Sequence, residues 1–247
     1  MLKTTTFIKT RSFDLAVYQK GDIKSNKLAL VLPGKLDTKD YPHMREHVDF
    51  LASQGYLALS FDPPGTWESD GDISIFTATN YMKAIKELIE YFGNKPTILL
   101  GHSMGGAMSI ITGIELKQVE KIISIMGKAY YPKQNDTKWK EMGYHLSIRD
   151  TPQEYKERTK TFHLPYSYLT DFYQYDATEN LKKCTKPKLF ILCNKDDENK
   201  KRIIKETFDI TSEPKQLSIV DVEHDYRKHK SAIIEVNKII KEFLQRK

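Results

Sequence analysis

A chain of 247 residues with 39% apolar and 29% charged residues has the composition of a soluble globular protein with one large core, and gives no reason to expect disorder. Its formal charge of +6 comes from lysines interleaved with Asp and Glu, which excludes the clustered basic face of a nucleic-acid binder. The longest apolar runs, such as Leu28 to Leu32 and Ile98 to Leu100, fall far short of the roughly 20 residues that cross a bilayer.

The opening Met1-Leu2-Lys3-Thr4-Thr5-Thr6 lacks an apolar stretch followed by a small-residue cleavage site, so a cytoplasmic protein is expected. Cys184 and Cys193 cannot build a disulfide framework and lack metal-site spacing, so they read as reduced thiols. Residues 5 to 19 carry two short alternating runs, Phe7/Ile8 and Phe13/Leu15/Val17, which predict an antiparallel pair at a sheet edge. After Gly21 come six short apolar runs of strand length: Lys27 to Leu32, Leu57 to Phe61, Thr97 to Leu100, Lys121 to Ile125, Lys188 to Leu192 and Gln216 to Val220. Helical stretches lie between and after them, at about 41 to 54, 77 to 92, 104 to 117, 200 to 208 and 228 to 245. In the last, Ile233, Val236, Ile239, Ile240, Phe243 and Leu244 form one apolar stripe. A parallel strand pair needs a long crossover and a helix supplies it, so the alternation predicts an α/β fold with a doubly wound, mostly parallel, eight-stranded sheet.

One region breaks the alternation. Residues 128 to 180 hold more chain than a connection needs and are dense in aromatics, among them Tyr130, Tyr131, Trp139, Tyr144, Phe162, Tyr168 and Phe172. Within them Thr151-Pro152-Gln153-Glu154 has the cap, the proline and the returning glutamate of a helix start. The reading is a partly helical lid inserted between core segments 1–127 and 181–247 of one domain.

Gly101-His102-Ser103-Met104-Gly105 stands between a strand and a helix, the context in which GxSxG has a mechanical meaning: small residues allow a turn sharp enough to lift the Ser103 hydroxyl above the sheet. A serine hydroxyl is a weak nucleophile without an adjacent base, and that base needs a third group to hold its tautomer. Carboxylates follow a late strand at Asn194-Lys195-Asp196-Asp197, where Asp196 is preferred and Asp197 and Glu198 stay open, because one residue in the strand end decides which side chain faces inward. His224, in the loop after the last strand, is the base candidate. His43 and His47 fall in an early helix, His145 and His163 in the lid, His229 in the last helix, and His102 points away on the turn. The oxyanion needs two N–H donors. Met104 supplies one at the helix start; Lys35, with Leu36 as second choice, supplies the other after Leu30-Val31-Leu32-Pro33-Gly34.

These residues resemble the α/β-hydrolase superfamily, in its branch of small bacterial esterases of the cinnamoyl/feruloyl type, monoacylglycerol lipases and serine aminopeptidase-like hydrolases. The likeness runs through Leu32-Pro33-Gly34, the segment Phe61 to Gly71, Gly101 to Gly105, Asp196 and His224. It implies no metal and no cofactor. The chain departs from it at Pro33, where relatives carry histidine, at Trp67, where they carry glycine, and at Cys193, which stands at the usual glycine before the acid. Asp62 reads as a loop brace.

A serine esterase acting on a small-molecule ester with a small, apolar or aromatic acyl group is the expected function, with Trp67, His102, Tyr130 and Trp139 as candidate pocket residues. The aromatics serve equally well to pack the lid. A thioesterase is a close alternative. A serine aminopeptidase would need acidic lid residues such as Glu141, Asp150, Glu154, Glu157 or Asp171 to hold an amine. A non-catalytic receptor is the remaining alternative, and such proteins often lack a triad member. The pattern carries no statement about oligomeric state.

Overall fold

The computed structural model describes residues 5–133 and 135–246, so the leader reading of residues 1 to 6 falls mainly outside it. In chain order the elements are β1 Thr6–Lys9, β2 Asp14–Lys20, β3 Leu28–Leu32, α1 Pro42–Ser53, β4 Leu57–Phe61, α2 Ala78–Tyr91, β5 Thr97–His102, α3 Met104–Glu115 and β6 Val119–Ile125. An insertion then carries α4 Thr137–Met142, β7 Tyr144–Asp150, β8 Thr159–Pro165, α5 Tyr166–Phe172 and α6 Thr178–Leu181. The chain closes with β9 Lys188–Cys193, α7 Glu198–Ile210, β10 Lys215–Val220 and α8 Lys230–Gln245.

Eight strands form one sheet in the order β1-β2-β4-β3-β5-β6-β9-β10. The β1–β2 and β2–β4 pairs are antiparallel and the others parallel. Strands β3, β4, β5 and β9 are buried at every residue, which is why their sequences run apolar without alternation. One core layer packs Met44, Val48 and Leu51 of α1 with Ile233, Val236 and Ile240 of α8 against one face; the other packs Ile85 and Leu88 of α2 with Met108 and Ile111 of α3 against the opposite face. From β3 the chain moves outward to β4 and then returns across to β5. The carboxyl ends of β3 and β5 therefore lie side by side where the winding reverses, the place at which open α/β sheets form a crevice.

The insertion differs from the expected helix start at Thr151. Residues 151 to 158 form the loop of a two-stranded antiparallel hairpin, β7 with β8, closed by the Thr151 N–H on the Arg158 carbonyl at 3.0 Å. Only four residues separate Glu154 from Thr159-Lys160-Thr161-Phe162, too few to repay a helix nucleus ahead of a strand-favouring run. Glu154 instead meets Arg45 of α1 at 2.7 Å. No helix among the described residues is long and apolar enough to cross a membrane.

Candidate active site

Ser103 sits between β5 and α3 with φ 53° and ψ −114°, a conformation that side-chain-bearing residues seldom adopt and that turns the hydroxyl out of the sheet. The flanking glycines are steric necessities. A Cβ on Gly101 would lie 2.0 Å from the Gly105 carbonyl oxygen, and one on Gly105 would lie 2.0 Å from the Leu32 oxygen. The turn is pinned to the next strand by the Ser103 N–H, which donates to the Ile125 carbonyl at 2.7 Å.

Two later strands deliver the partners. The Ser103 Oγ lies 3.0 Å from His224 Nε2, and His224 Nδ1 lies 2.5 Å from Asp196 Oδ2. His224 follows β10 and Asp196 follows β9, so neighbouring parallel strands bring together groups 28 residues apart. The alternatives at the acid position are engaged elsewhere: Asp197 caps α7 by accepting from the Lys200 N–H at 3.1 Å, and Glu198 extends into solvent beside Lys201. Burial alone would raise the Asp196 carboxyl. The His224 hydrogen bond and charge, the Asp197 N–H and Lys200 outweigh it and hold the group well below the usual carboxylate range. Burial lowers His224 below its ordinary value, Asp196 opposes that shift and His102 adds to it, so the imidazole is a free base at neutral pH.

His102 does not simply point away. Its Nε2 is 3.0 Å from the His224 carbonyl oxygen, which can only accept, so that nitrogen carries the hydrogen. Its Nδ1 faces Asp37 Oδ2 at 3.6 Å, and His43 Nε2 faces the same oxygen at 3.9 Å. Asp37, His43 and His102 thus offer three buried ligand atoms within 4.8 Å of one another, the described residues best arranged for a cation. The Arg149 guanidinium already sits on the second Asp37 oxygen, so the carboxylate has a resident counter-charge and a second cation there is disfavoured. Burial would raise Asp37, but His102, Arg149 and His43 together hold it low.

The loop after β3 carries both oxyanion candidates. Lys35 lines the cavity over Ser103, whereas Leu36 is buried with φ 55°. Met104 is the first residue of α3, so its N–H has no partner within the helix. Asp62 braces this loop: it accepts from the Thr38 hydroxyl at 2.8 Å and the Lys39 N–H at 2.9 Å, and pairs with the Lys39 ammonium at 3.0 Å.

Trp67 and Tyr130 lie off the cavity, contrary to their expected place in its wall. Trp67 is 8% exposed, donates its indole N–H to the Leu36 carbonyl at 3.0 Å and packs edge-on against Phe162 of β8, so it joins the loop after β3 to the insertion. Tyr130 makes a backbone bridge to Asp176, and its neighbour Tyr131 takes the wall position. Trp139 and His102 do line the cavity, which measures about 440 Å³. Its apolar wall comes from Met104, Tyr131, Trp139, Tyr168 and Phe172, with the Tyr168 hydroxyl donating to the Met104 sulfur at 3.3 Å. Sequence reasoning missed Arg149, Asp37, Lys128 and Lys200, which also line it. Arg149 alone had a local signal, the polar side of an alternating run from Tyr144 to Asp150.

Comparison with known proteins agrees with this architecture. Residues 30–196 match the model of the alpha/beta hydrolase fold family. Human mitochondrial palmitoyl-protein thioesterase ABHD10 is 24% identical over 149 residues, covering 58% of this chain and 48% of that protein, so the chain spans about half the length of the curated relatives it matches. Among solved structures, alpha/beta hydrolase domain-containing protein 10 from mouse superposes with a TM-score of 0.73 at 18% identity, covering 98% of each chain. Est1E from Butyrivibrio proteoclasticus, solved with ferulic acid bound, gives 0.74 at 18% identity and 97% of each chain. At such identities the structural likeness shows the fold alone, and the family match carries the assignment: this chain belongs to the alpha/beta hydrolase fold family.

Proposed function

We propose that this hydrolase-family chain is a serine esterase that cleaves carboxylic esters of small, apolar or aromatic acyl groups through an acyl-enzyme on Ser103. The observation that carries the reading is the unbroken line from Ser103 Oγ to His224 Nε2 at 3.0 Å and from His224 Nδ1 to Asp196 at 2.5 Å. Ser103 Oγ attacks the carbonyl carbon and its proton passes to His224 Nε2. The resulting oxyanion is received by the backbone N–H groups of Met104 and Lys35. Collapse breaks the bond to the leaving oxygen, which takes the proton from His224. A water then gives a proton to His224, its hydroxide attacks the acyl carbon, and the proton returns to Ser103 as the acid departs. Residues 128–180 act as a lid whose aromatics hold the acyl group, and the protein works in the cytoplasm as a reduced-thiol enzyme.

A thioester is the second substrate reading, supported by curated relatives that are palmitoyl-protein thioesterases. The aminopeptidase reading has less support. Asp150 is tied to Arg227, Glu154 to Arg45 and Asp171 to Thr79; Glu141 and Glu157 are exposed, and none of the five lines the cavity. A receptor would have no use for a complete relay. A fluorophosphonate probe is expected to label the native protein and to leave Ser103→Ala unlabelled, with 4-nitrophenyl esters of graded length ranking the acyl group. Undiminished labelling of Ser103→Ala removes Ser103 from the mechanism.

A further inference from the structure

The cavity over Ser103 holds more positive charge than its own carboxylates offset. Lys35 comes from the loop after β3, Lys128 from the chain after β6 and Lys200 from α7, so three segments distant in sequence bring lysines to the wall of one cavity. Arg149 is already paired with Asp37, and Lys200 with Asp196 at 3.2 Å. Asp225, the other carboxylate of the wall, is held by Arg227 at 2.7 Å and Lys228 at 3.2 Å. Among the described residues, Lys35 and Lys128 have no carboxylate within ion-pair distance. Each also sits in the field of Lys200. Lys35 keeps part of its surface in solvent, yet the protein packed around it, then Arg149 and Lys200, lower its pKa against an opposing pull from Asp37; burial and then Lys200 lower that of Lys128 against Asp196 and Asp197. Converging like charges oppose folding, and a bound anion relieves them.

The lysines meet the aromatics at Tyr131, whose ring centre lies 5.9 Å from the Lys128 ammonium. Lys200 is bonded to Asp196, the partner of the imidazole that protonates the leaving atom, and Lys35 and Lys128 both lie in the field of Lys200, Lys128 also in that of Asp196, whereas Tyr168 contacts Met104. We propose that the leaving group of the natural substrate carries a carboxylate or phosphate, received by Lys35 and Lys128, while the acyl group lies on the aromatic wall. The inference rests on the serine-hydrolase reading and names the substrate class within it. The bond that breaks joins the acyl carbon to the leaving oxygen or sulfur; that atom departs with the proton from His224, and the anion it carries stays paired with the lysines until release.

Four butyryl thioesters test this through thiol release: those of N-acetylcysteamine, neutral; 3-mercaptopropionate, a carboxylate; coenzyme A, phosphates; and thiocholine, a cation. At low salt the carboxylate or the phosphate thioester is expected to exceed the neutral one in kcat/KM by about tenfold, the thiocholine ester to fall below it, and the advantage to shrink at high salt. The carboxylate and coenzyme A arms identify which anion is preferred. The ratio of anionic to neutral kcat/KM should drop toward one in Lys35→Gln/Lys128→Gln. A ratio near one in the parent, or one unchanged in the double variant, overturns the proposal. Calorimetric binding of the same thioesters to Ser103→Ala, with and without the two lysine substitutions, reads the charge preference without turnover. Absence of turnover with tighter binding of the anionic thioesters would sink the hydrolase reading and keep the anion site, whereas equal binding would sink the site.

Discussion

Replacing Asp196 with Asn probes the relay at its most buried point. The Asp196 side chain is 5% exposed and its Oδ2 lies 2.5 Å from His224 Nδ1, so in the proposed mechanism the carboxylate sets the imidazole tautomer and stabilises the imidazolium that would form when Ser103 is deprotonated. At that separation an effective dielectric of about 20 gives an attraction of about 7 kcal/mol. Lys200, 40% exposed and 3.2 Å from the other carboxylate oxygen, offsets part of this. A net loss of about 4 to 5 kcal/mol in transition-state stabilisation corresponds to a drop in kcat/KM of about 10³ to 10⁴. The assay is hydrolysis of 4-nitrophenyl butyrate at neutral pH, alongside the rate of fluorophosphonate labelling. Asp197→Asn is the matched control: asparagine caps a helix about as well as aspartate, so activity should stay within about threefold of the parent. An Asp196→Asn enzyme keeping a tenth or more of parental activity, or an Asp197→Asn enzyme hit harder, would refute the assignment of Asp196 and the electrostatic reasoning with it.

Because burial lowers His224, its neutral form persists below pH 6.5, and the acid limb of kcat/KM should fall with a midpoint under that value as the imidazole gains its proton; a midpoint at 7 or above contradicts this. Gly105→Ala should abolish Ser103 labelling and lower the melting temperature, because its Cβ meets the Leu32 carbonyl oxygen at 2.0 Å with only backbone able to move. Gly143→Ala, at φ 74° with open space around it, should cost only about 1 kcal/mol and leave labelling intact.

The parts of the molecule that were legible in its sequence are those decided by near neighbours in the chain. An apolar run as short as Leu28 to Leu32, closed by Pro33-Gly34, has the length of a strand buried on both faces, and GxSxG between a strand and a helix has one mechanical reading, so the sheet and the turn at Ser103 followed from local rules. Asp196 against Asp197 lay at the edge of that reach. Asp197 carries the helix-cap role, which leaves Asp196 to face His224, but a one-residue shift in the end of β9 would exchange them. The hairpin Tyr144–Pro165 shows its alternation in the sequence, but the capping signature at Thr151 masks it: a helix started there would have only a few residues before the strand-favouring run from Thr159.

Beyond that reach lie contacts that only folding creates. Arg149 joins the insertion to Asp37 in the loop after β3 across 112 residues, Trp67 joins the same loop to Phe162, and Tyr41 donates to the Asp150 carbonyl at 2.7 Å. Asp150 also receives Arg227, three residues beyond His224, with bonds of 2.8 and 2.7 Å. The insertion is thus fastened to two segments the relay depends on, the loop that would bind the oxyanion and the loop that carries the base. Any movement that parts β7 from the core must break Arg149–Asp37 and Arg227–Asp150 together. Opening the cavity would therefore also release the constraints beside His224, and closure over a bound acyl group would restore both. The aromatic residues of the insertion supply a wall, but its charged residues decide where that wall stands relative to the relay.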